Sequence, residues 1–339
     1  MGLVTVLLAV VLGAGLVAAG AQGEPAGEPP LRFFRIGTGS TAETHFPIGG
    51  LVANAISNPP GSRECDRGGS CGVPGLIAVA QSTQGALANV EALSQGRLDA
   101  ALAQADIAYW AYHGGGVFEA RPAIDTLRSI ATLYTDSVHL VTRRESGIRN
   151  VRDLRGKRVS LGEKGSGTPA GAGLILKAFG LKDDDIKAEN LRPAVAAEAL
   201  SAGRIDALFL VDAPPVPAIA ELARDKDLIL VPIVGPEVDK LMATYPFVRK
   251  GAIAAGTYQS HGAETPTIEM AVMLLVPAQL DRDLAYAVTK ALWHPSTQKL
   301  LREGQPRGEM IRLDATADKL GIPLHPGAEA YYFDAGLVH

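Results

Sequence analysis

The chain has 339 residues, enough for two domains of ordinary size, each with its own core. A formal net charge of −4 and an aromatic content of 5% exclude the basic field and base-stacking platforms of a nucleic-acid binder. Hydrophobic residues make up 47%, with 38 Gly and 22 Pro, the balance of an α/β protein rich in turns.

The stretch from Leu3 to Ala21 carries no charge and ends Ala19-Gly20-Ala21, a small-residue cleavage pattern. It predicts a secretory signal peptide over residues 1–21 and hence a periplasmic protein, with a retained N-terminal membrane anchor as the alternative. Residues 22–31, dominated by Pro, Gly and Glu, read as a linker.

Phe33, Phe34 and Ile36 predict a short strand that breaks into Gly37-Thr38-Gly39-Ser40-Thr41, and a helical pattern resumes at Leu51. A strand, a Gly/Ser/Thr loop and a helix start gather unpaired N–H groups at one spot, which favours a bound anion. His45 lies in that loop, as a ligand contact or packed on the loop surface. Pro59-Pro60-Gly61 ends the helix. Cys65 and Cys71, an even pair at close spacing in an exported chain, predict a disulfide; no second pair and no nearby His completes a zinc site.

Leu76–Ala80 predicts a strand opening on Gln81, Ser82 and Thr83, and the helix over 86–94 takes Ser and Thr as caps. A strand over 99–103 delivers Gln104, and Asp106 is placed to cap a helix over 107–113. Residues 127–134 and 138–142 read as two successive strands.

The first device then recurs. Residues 157–161 lead into Gly162 and on to Gly165-Ser166-Gly167-Thr168-Pro169, followed by a helix over 172–179. Gly203-Arg204-Ile205-Asp206 repeats Gly96-Arg97-Leu98-Asp99. The next strand, 207–211, runs into Asp212, which either meets ligand or caps the turn before Pro214. Helices over 196–202 and 218–224, strands over 228–231 and 271–276, and an amphipathic helix over 281–293 complete the reading. This alternation predicts mostly parallel sheets with ligand at the carboxyl ends of the strands.

The candidate ligand-binding residues are Gly39, Ser40, Thr41, His45, Gln81, Ser82, Thr83, Gln104, Ser166, Gly167, Thr168 and Asp212. Nearly all are uncharged donors or small residues, suited to gripping a ligand. Asp99 and Asp206 fit local backbone bonds; Lys164 and Arg192 either neutralise a carboxylate or are solvated. No catalytic residue is assigned, and His45, Asp212 and Lys164 are the available bases should the scaffold be an enzyme. None of the seven His residues stands four from another, so no metal centre is expected. No cofactor is expected either. Gly37-x-Gly39-x-x-Ala42 resembles a dinucleotide fingerprint, but Pro47 is expected to interrupt the helix that should follow. Gly68-Gly69-Ser70-Cys71-Gly72 has nucleophile-elbow spacing without a buried strand before it.

Taken together, Ile36-Gly37-Thr38-Gly39-Ser40-Thr41 with Phe46-Pro47-Ile48-Gly49-Gly50, Gln81-Ser82-Thr83-Gln84-Gly85, Gln104-Ala105-Asp106, Gly165-Ser166-Gly167-Thr168 and Ala255-Gly256-Thr257-Tyr258 resemble, in order and spacing, the TAXI-type solute receptors of TRAP transporters. The resemblance implies a two-lobed, type II periplasmic-binding-protein-like α/β fold, each lobe a mostly parallel sheet flanked by helices. Residues 32–137 would form lobe 1, residues 138–275 lobe 2, and residues 276–339 a return to lobe 1, with hinge strands near 138–142 and 271–276. It also implies capture of a small organic anion, such as glutamate or 2-oxoglutarate, and delivery to a TRAP membrane permease; the alternatives are a receptor for an ABC importer and an enzyme on the same scaffold acting on a small carboxylate. Where the family's loop reads Gly-Gly-Thr-Tyr, this chain has Ala42-Glu43-Thr44-His45.

Overall fold

A computed structural model describes residues 30–259, 261–313 and 321–338; the expected signal peptide and most of the expected linker lie outside them. Strand β1 (Arg32–Gly37) buries Phe34 and Ile36. Helix α1 (His45–Ile56) starts six residues before the pattern at Leu51. Pro47 sits in its first turn, where its N–H would have no intrahelical partner, so it does not interrupt the helix. Gly49 is required by packing: a Cβ there would lie 2.3 Å from Thr38 Cγ2.

Two short strands, β2 (Ser57–Asn58) and β3 (Val73–Pro74), pair in parallel and bracket the loop closed by the Cys65–Cys71 disulfide. Strand β4 (Leu76–Gln81) and helix α2 (Ala86–Ser94) follow as expected. The α2 cap differs: Gly85 occupies it, and Thr83 Oγ1 accepts the Gly85 N–H instead. Strand β5 (Ala100–Gln104) is buried throughout and turns straight into α3 (Ala105–His113), which takes Asp106 into its first turn.

The two strands expected over 127–142 are one. Strand β6 (Leu127–Arg143) runs 17 residues without a break and keeps Asp136 within it. Beyond it come β7 (Arg158–Ser160), α4 (Thr168–Ala178), β8 (Lys187–Glu189), α5 (Pro193–Ser201), β9 (Ala207–Asp212), α6 (Pro217–Asp225), β10 (Leu228–Leu230) and α7 (Pro236–Thr244). The chain continues through β11 (Arg249–Ile253), β12 (Thr265–Pro277), α8 (Arg282–Leu292), α9 (Pro295–Gly304) and α10 (Pro326–Asp334). Much of the proline content is explained here, because α4, α5, α6, α7, α9 and α10 all carry Pro in the first turn.

The main sheet has the order β4-β1-β5-β12-β6-β9-β7-β8. Its first half is parallel (β4, β1, β5), and so is its second (β9, β7, β8). The long strands β12 and β6 join them and run antiparallel to their neighbours. Strand β6 pairs with β12 from Leu127 to Ser137 and with β9 from Ser137 to Thr142. Ser137, beside Asp136, is therefore the residue at which β6 passes from one half to the other.

The two halves carry the same strap. Asp99 accepts the Arg35 N–H at 2.8 Å and pairs with its guanidinium, and Asp206 does the same for Arg158. Both aspartates bond backbone, but that of a neighbouring strand 64 and 48 residues away and not the local backbone expected from sequence. Helices α1, α8, α9 and α10 cover one face of the first half around Ile36, Val52, Leu102, Trp293 and Tyr332. On one face of the second half, α5 and α6 pack around Leu200, Leu208 and Ile219. A third core, including Leu93, Ile107, Ile175, Phe209 and Met270, draws residues from both halves.

Candidate functional site

The carboxyl ends of β1, β5 and β9 converge on the middle of β6. Asp136 Oδ2 lies 2.9 Å from His45 Nε2 and accepts from Gln104 Nε2 at 2.8 Å. Asp212 Oδ2 accepts the Thr44 N–H at 2.9 Å, and Thr44 Oγ1 donates to the Ala213 carbonyl at 3.0 Å. Asp212 Oδ1 also accepts the Ala213 N–H, so this side chain both braces its own turn and ties the second half to the α1 loop. Glu43 folds back to accept the Ser40 N–H at 2.8 Å. His45, Gln104, Asp136 and Asp212 are each less than 5% exposed.

The halves meet directly around this cluster. The Ala88 N–H donates to the Gly165 carbonyl at 3.0 Å. Gly167 passes so close to Gln104 that a Cβ would fall 2.3 Å from Oε1. Any side chain there would have to displace the Gln104 amide.

Of the residues expected to bind ligand, the structure brings His45, Gln104 and Asp212 together and sets Gly167 against Gln104. Three of the loop hydroxyls donate within the protein and two accept. Ser82 Oγ donates to the Gly39 carbonyl, Thr83 Oγ1 to Asn89 Oδ1, and Ser166 Oγ to the Glu163 carbonyl. Thr168 Oγ1 accepts the Val211 N–H and Ser40 Oγ the Ala42 N–H. Short loops at strand ends leave more backbone groups unpaired than their own backbone can satisfy, and these side chains supply the difference. Gln81 and Thr41 are exposed.

The titratable groups of the cluster are mostly acids. Glu43, Asp106, Asp136 and Asp212 surround a single counter-charge, His45, and the charges felt at His45 and Asp212 are those of one another, Asp136 and Glu43. Lys164 is exposed, and Arg192 pairs with Glu163 at 3.2 Å. Sequence reading missed Asp136, Tyr134 and Glu43 as members of the cluster. The available signal was an acid inside an apolar run, Leu133-Tyr134-Thr135-Asp136-Ser137-Val138, which reads equally well as a break between strands.

Burial acts first on every group here. It pulls His45 down, but Asp136, Asp212 and Glu43 outweigh it and lift the imidazole to about 9. Burial, then Asp136, pushes Asp212 up to about 8; burial takes Asp106 to about 7 and also raises Glu43, on which Glu163 acts as well. Tyr134 is held above its ordinary value by burial and by the same carboxylates. His45, Asp106 and Asp212 thus bind a proton more tightly folded than at their ordinary values of 6.5 for His and 3.8 for Asp. Their contribution to stability is complete below those values and is lost as pH rises through the folded ones. The melting midpoint in EDTA-containing buffer should fall by several degrees between about pH 4 and about pH 9. A flat profile across that window would show that the cluster does not retain its protons.

Two parallel patches joined by long antiparallel strands, with buried polar groups gathered at the strand ends between them, define a periplasmic-binding-protein-like α/β fold. The chain belongs to the NMT1-like family, whose model matches residues 36–336. Among solved structures it is similar to a protein of Bordetella bronchiseptica RB50, at 16% identity over 90% of this chain and 82% of that one, with a TM-score of 0.52. It also matches the alkanesulfonate-binding protein SsuA from Xanthomonas axonopodis pv. citri bound to MOPS, at 19% identity over 89% of this chain and 84% of that one, TM-score 0.47. A third match is the ligand-binding component of an ABC-type import system from Staphylococcus aureus with zinc bound, at 12% identity over 82% and 78%, TM-score 0.48. At these identities the likeness is one of fold, and the first of the three carries it. No helix among the described residues is long and apolar enough to cross a membrane.

Proposed function

We propose that the protein is a solute-binding receptor that closes two lobes on a small ligand and hands it to a membrane importer. One observation carries the reading. Where the halves meet, Gln104 Oε1, Asp106 Oδ2, Tyr134 OH and Asp136 Oδ1 are buried without a hydrogen-bond partner. Buried polar atoms are almost always satisfied, and four orphans in one place match a site that a ligand completes.

The lobes are residues 32–137 with the return 276–339, and residues 138–275, hinged where β6 and β12 cross between the halves. Closure is then a hinge motion whose equilibrium the ligand shifts by its preference for the closed form. His45, Gln104, Asp136 and Asp212 are the proposed ligand contacts; Gly39, Ser40, Ser82, Thr83, Ser166 and Thr168 shape the loops that hold them. The excess of carboxylates favours a ligand that brings positive charge or hydrogen-bond donors over the dicarboxylate implied by the family resemblance. The partner proposed from the motif order is a TRAP-type permease, reached from the periplasm. Binding is favoured over turnover because His45 Nε2 is committed to Asp136 and the exposed Lys164 is no part of the cluster.

The test is to purify the protein without chelator, denature it, and identify the released small molecules by mass spectrometry. Re-addition of the compound found should raise the melting midpoint, and it should be recovered unchanged. Recovery of a chemically altered compound would replace the receptor with an enzyme on the same scaffold.

A further inference from the structure

His45, Asp136 and Asp212 bring a ring nitrogen and two carboxylate oxygens within 4.8 Å of one another. They come from the first turn of α1, the middle of β6 and the end of β9, and all three are buried. A second observation comes from outside the trio. Gln104 is bonded to the same Asp136 through Nε2, yet its Oε1 has no partner. The Tyr134 ring stands 6.1 Å from the His45 ring, and its hydroxyl is unpartnered as well. Both residues are at least 97% buried. Acceptor oxygens outnumber the donors available to them, and a cation corrects that imbalance.

We infer that a divalent transition-metal ion binds between the two halves of the sheet, ligated by His45, Asp136 and Asp212, with Gln104 Oε1 available as a fourth donor. Two carboxylates and a neutral imidazole carry the charge that such an ion balances. Bonds of about 2.0–2.1 Å set tetrahedral donors about 3.3 Å apart. His45 Nε2 and Asp136 Oδ2 are already at 2.9 Å, so the ion takes the place of the proton between them and a small separation suffices. That proton and the one Asp212 holds near neutral pH both leave to solvent on binding. The imidazole favours Zn2+ over Ca2+ and Mg2+, which prefer all-oxygen shells, and the two carboxylates also suit Mn2+. Local spacing hid this site, because its three ligands lie 91 and 76 residues apart along the chain.

Cys65, Cys71 and His294 also cluster, but both sulfurs are joined in the disulfide and offer no thiolate. They serve as the control. The inference rests on the receptor reading for placing the ion in a closing cleft, and the experiment separates the two. EDTA-treated protein is dialysed against ZnCl2, MnCl2, CaCl2 or MgCl2, then assayed for metal per chain and for melting midpoint. The expected result is one Zn2+ or Mn2+ per chain with a raised midpoint. His45→Ala, Asp136→Asn and Asp212→Asn should each weaken binding by roughly a hundredfold or more, with His294→Ala unchanged. Asp212→Asn keeps an oxygen for the Thr44 N–H and is the variant best able to keep its fold.

Absence of bound transition metal in the parent protein overturns the inference whatever the variants do. So does binding that survives all three substitutions or is lost in His294→Ala. A co-purified organic solute with no metal overturns the ion and leaves the receptor standing; a bound ion with no closure or transport partner does the reverse.

Discussion

Asp136→Ala should destabilise the metal-free protein by about 3 kcal/mol and lower the His45 pKa from about 9. Breaking a buried pair by removing one partner costs about 3–5 kcal/mol, because the group left behind keeps its desolvation penalty. The substitution strips His45 Nε2 and Gln104 Nε2 of the oxygen they share. It also removes a neighbouring charge that raises Asp212, and that relief places the expected cost at the low end of the range. With its principal partner gone, burial pulls the imidazole down against only Asp212 and Glu43. Chemical denaturation gives the first quantity, and imidazole proton shifts against pH give the second. An unchanged His45 titration would mean that Asp136 does not set the charge of this cluster.

Tyr332→Ala should cost about 5 kcal/mol or more and lower the melting midpoint by on the order of 10 °C. Tyr332 is 2% exposed on α10 and reaches the first half of the sheet. Its hydroxyl donates to the Ile130 carbonyl at 2.8 Å and accepts from Trp293 Nε1 at 2.9 Å. The alanine leaves a ring-sized cavity, for which large-to-small changes at aromatic positions cost about 3–5 kcal/mol. It also strands two buried polar groups at about 1 kcal/mol or more each. Tyr332→Phe keeps the packing and should cost only about 1–2 kcal/mol. Equal losses for the two variants would place the energy in the hydrogen bonds. No loss for either would mean that residues 321–338 do not anchor the first half.

The contrast between these two sites shows what kind of information each needed. Helix α2 was legible to the residue, and most strands to within one or two, because apolar periodicity and Gly/Pro punctuation act over a single turn of chain. The repeated Gly-Arg-x-Asp segments identified two equivalent halves, although each aspartate bonds the backbone of a distant strand and not of its own neighbourhood. Pro47 misled because one residue type has two meanings: it breaks a helix interior but suits a first turn, and only the helix start tells which. The segments β8, β11, α7, α9 and α10 passed unread, being short, polar on most faces, or begun by prolines that punctuate loops equally well.

Local sequence by itself determined the α/β alternation, the paired strand-end loops and the disulfide. The identity of the polar cluster was decided by tertiary structure alone. Asp136 becomes an inward acid only because β6 continues unbroken and exchanges β12 for β9 at Ser137. His45 and Asp212 meet it only because the two halves close on each other. Ser82 and Ser166 donate to carbonyls, and Thr83 to Asn89, because the fold brings those groups to them. A side chain's partners depend on which distant strands pair, and strand pairing is a property of the whole chain.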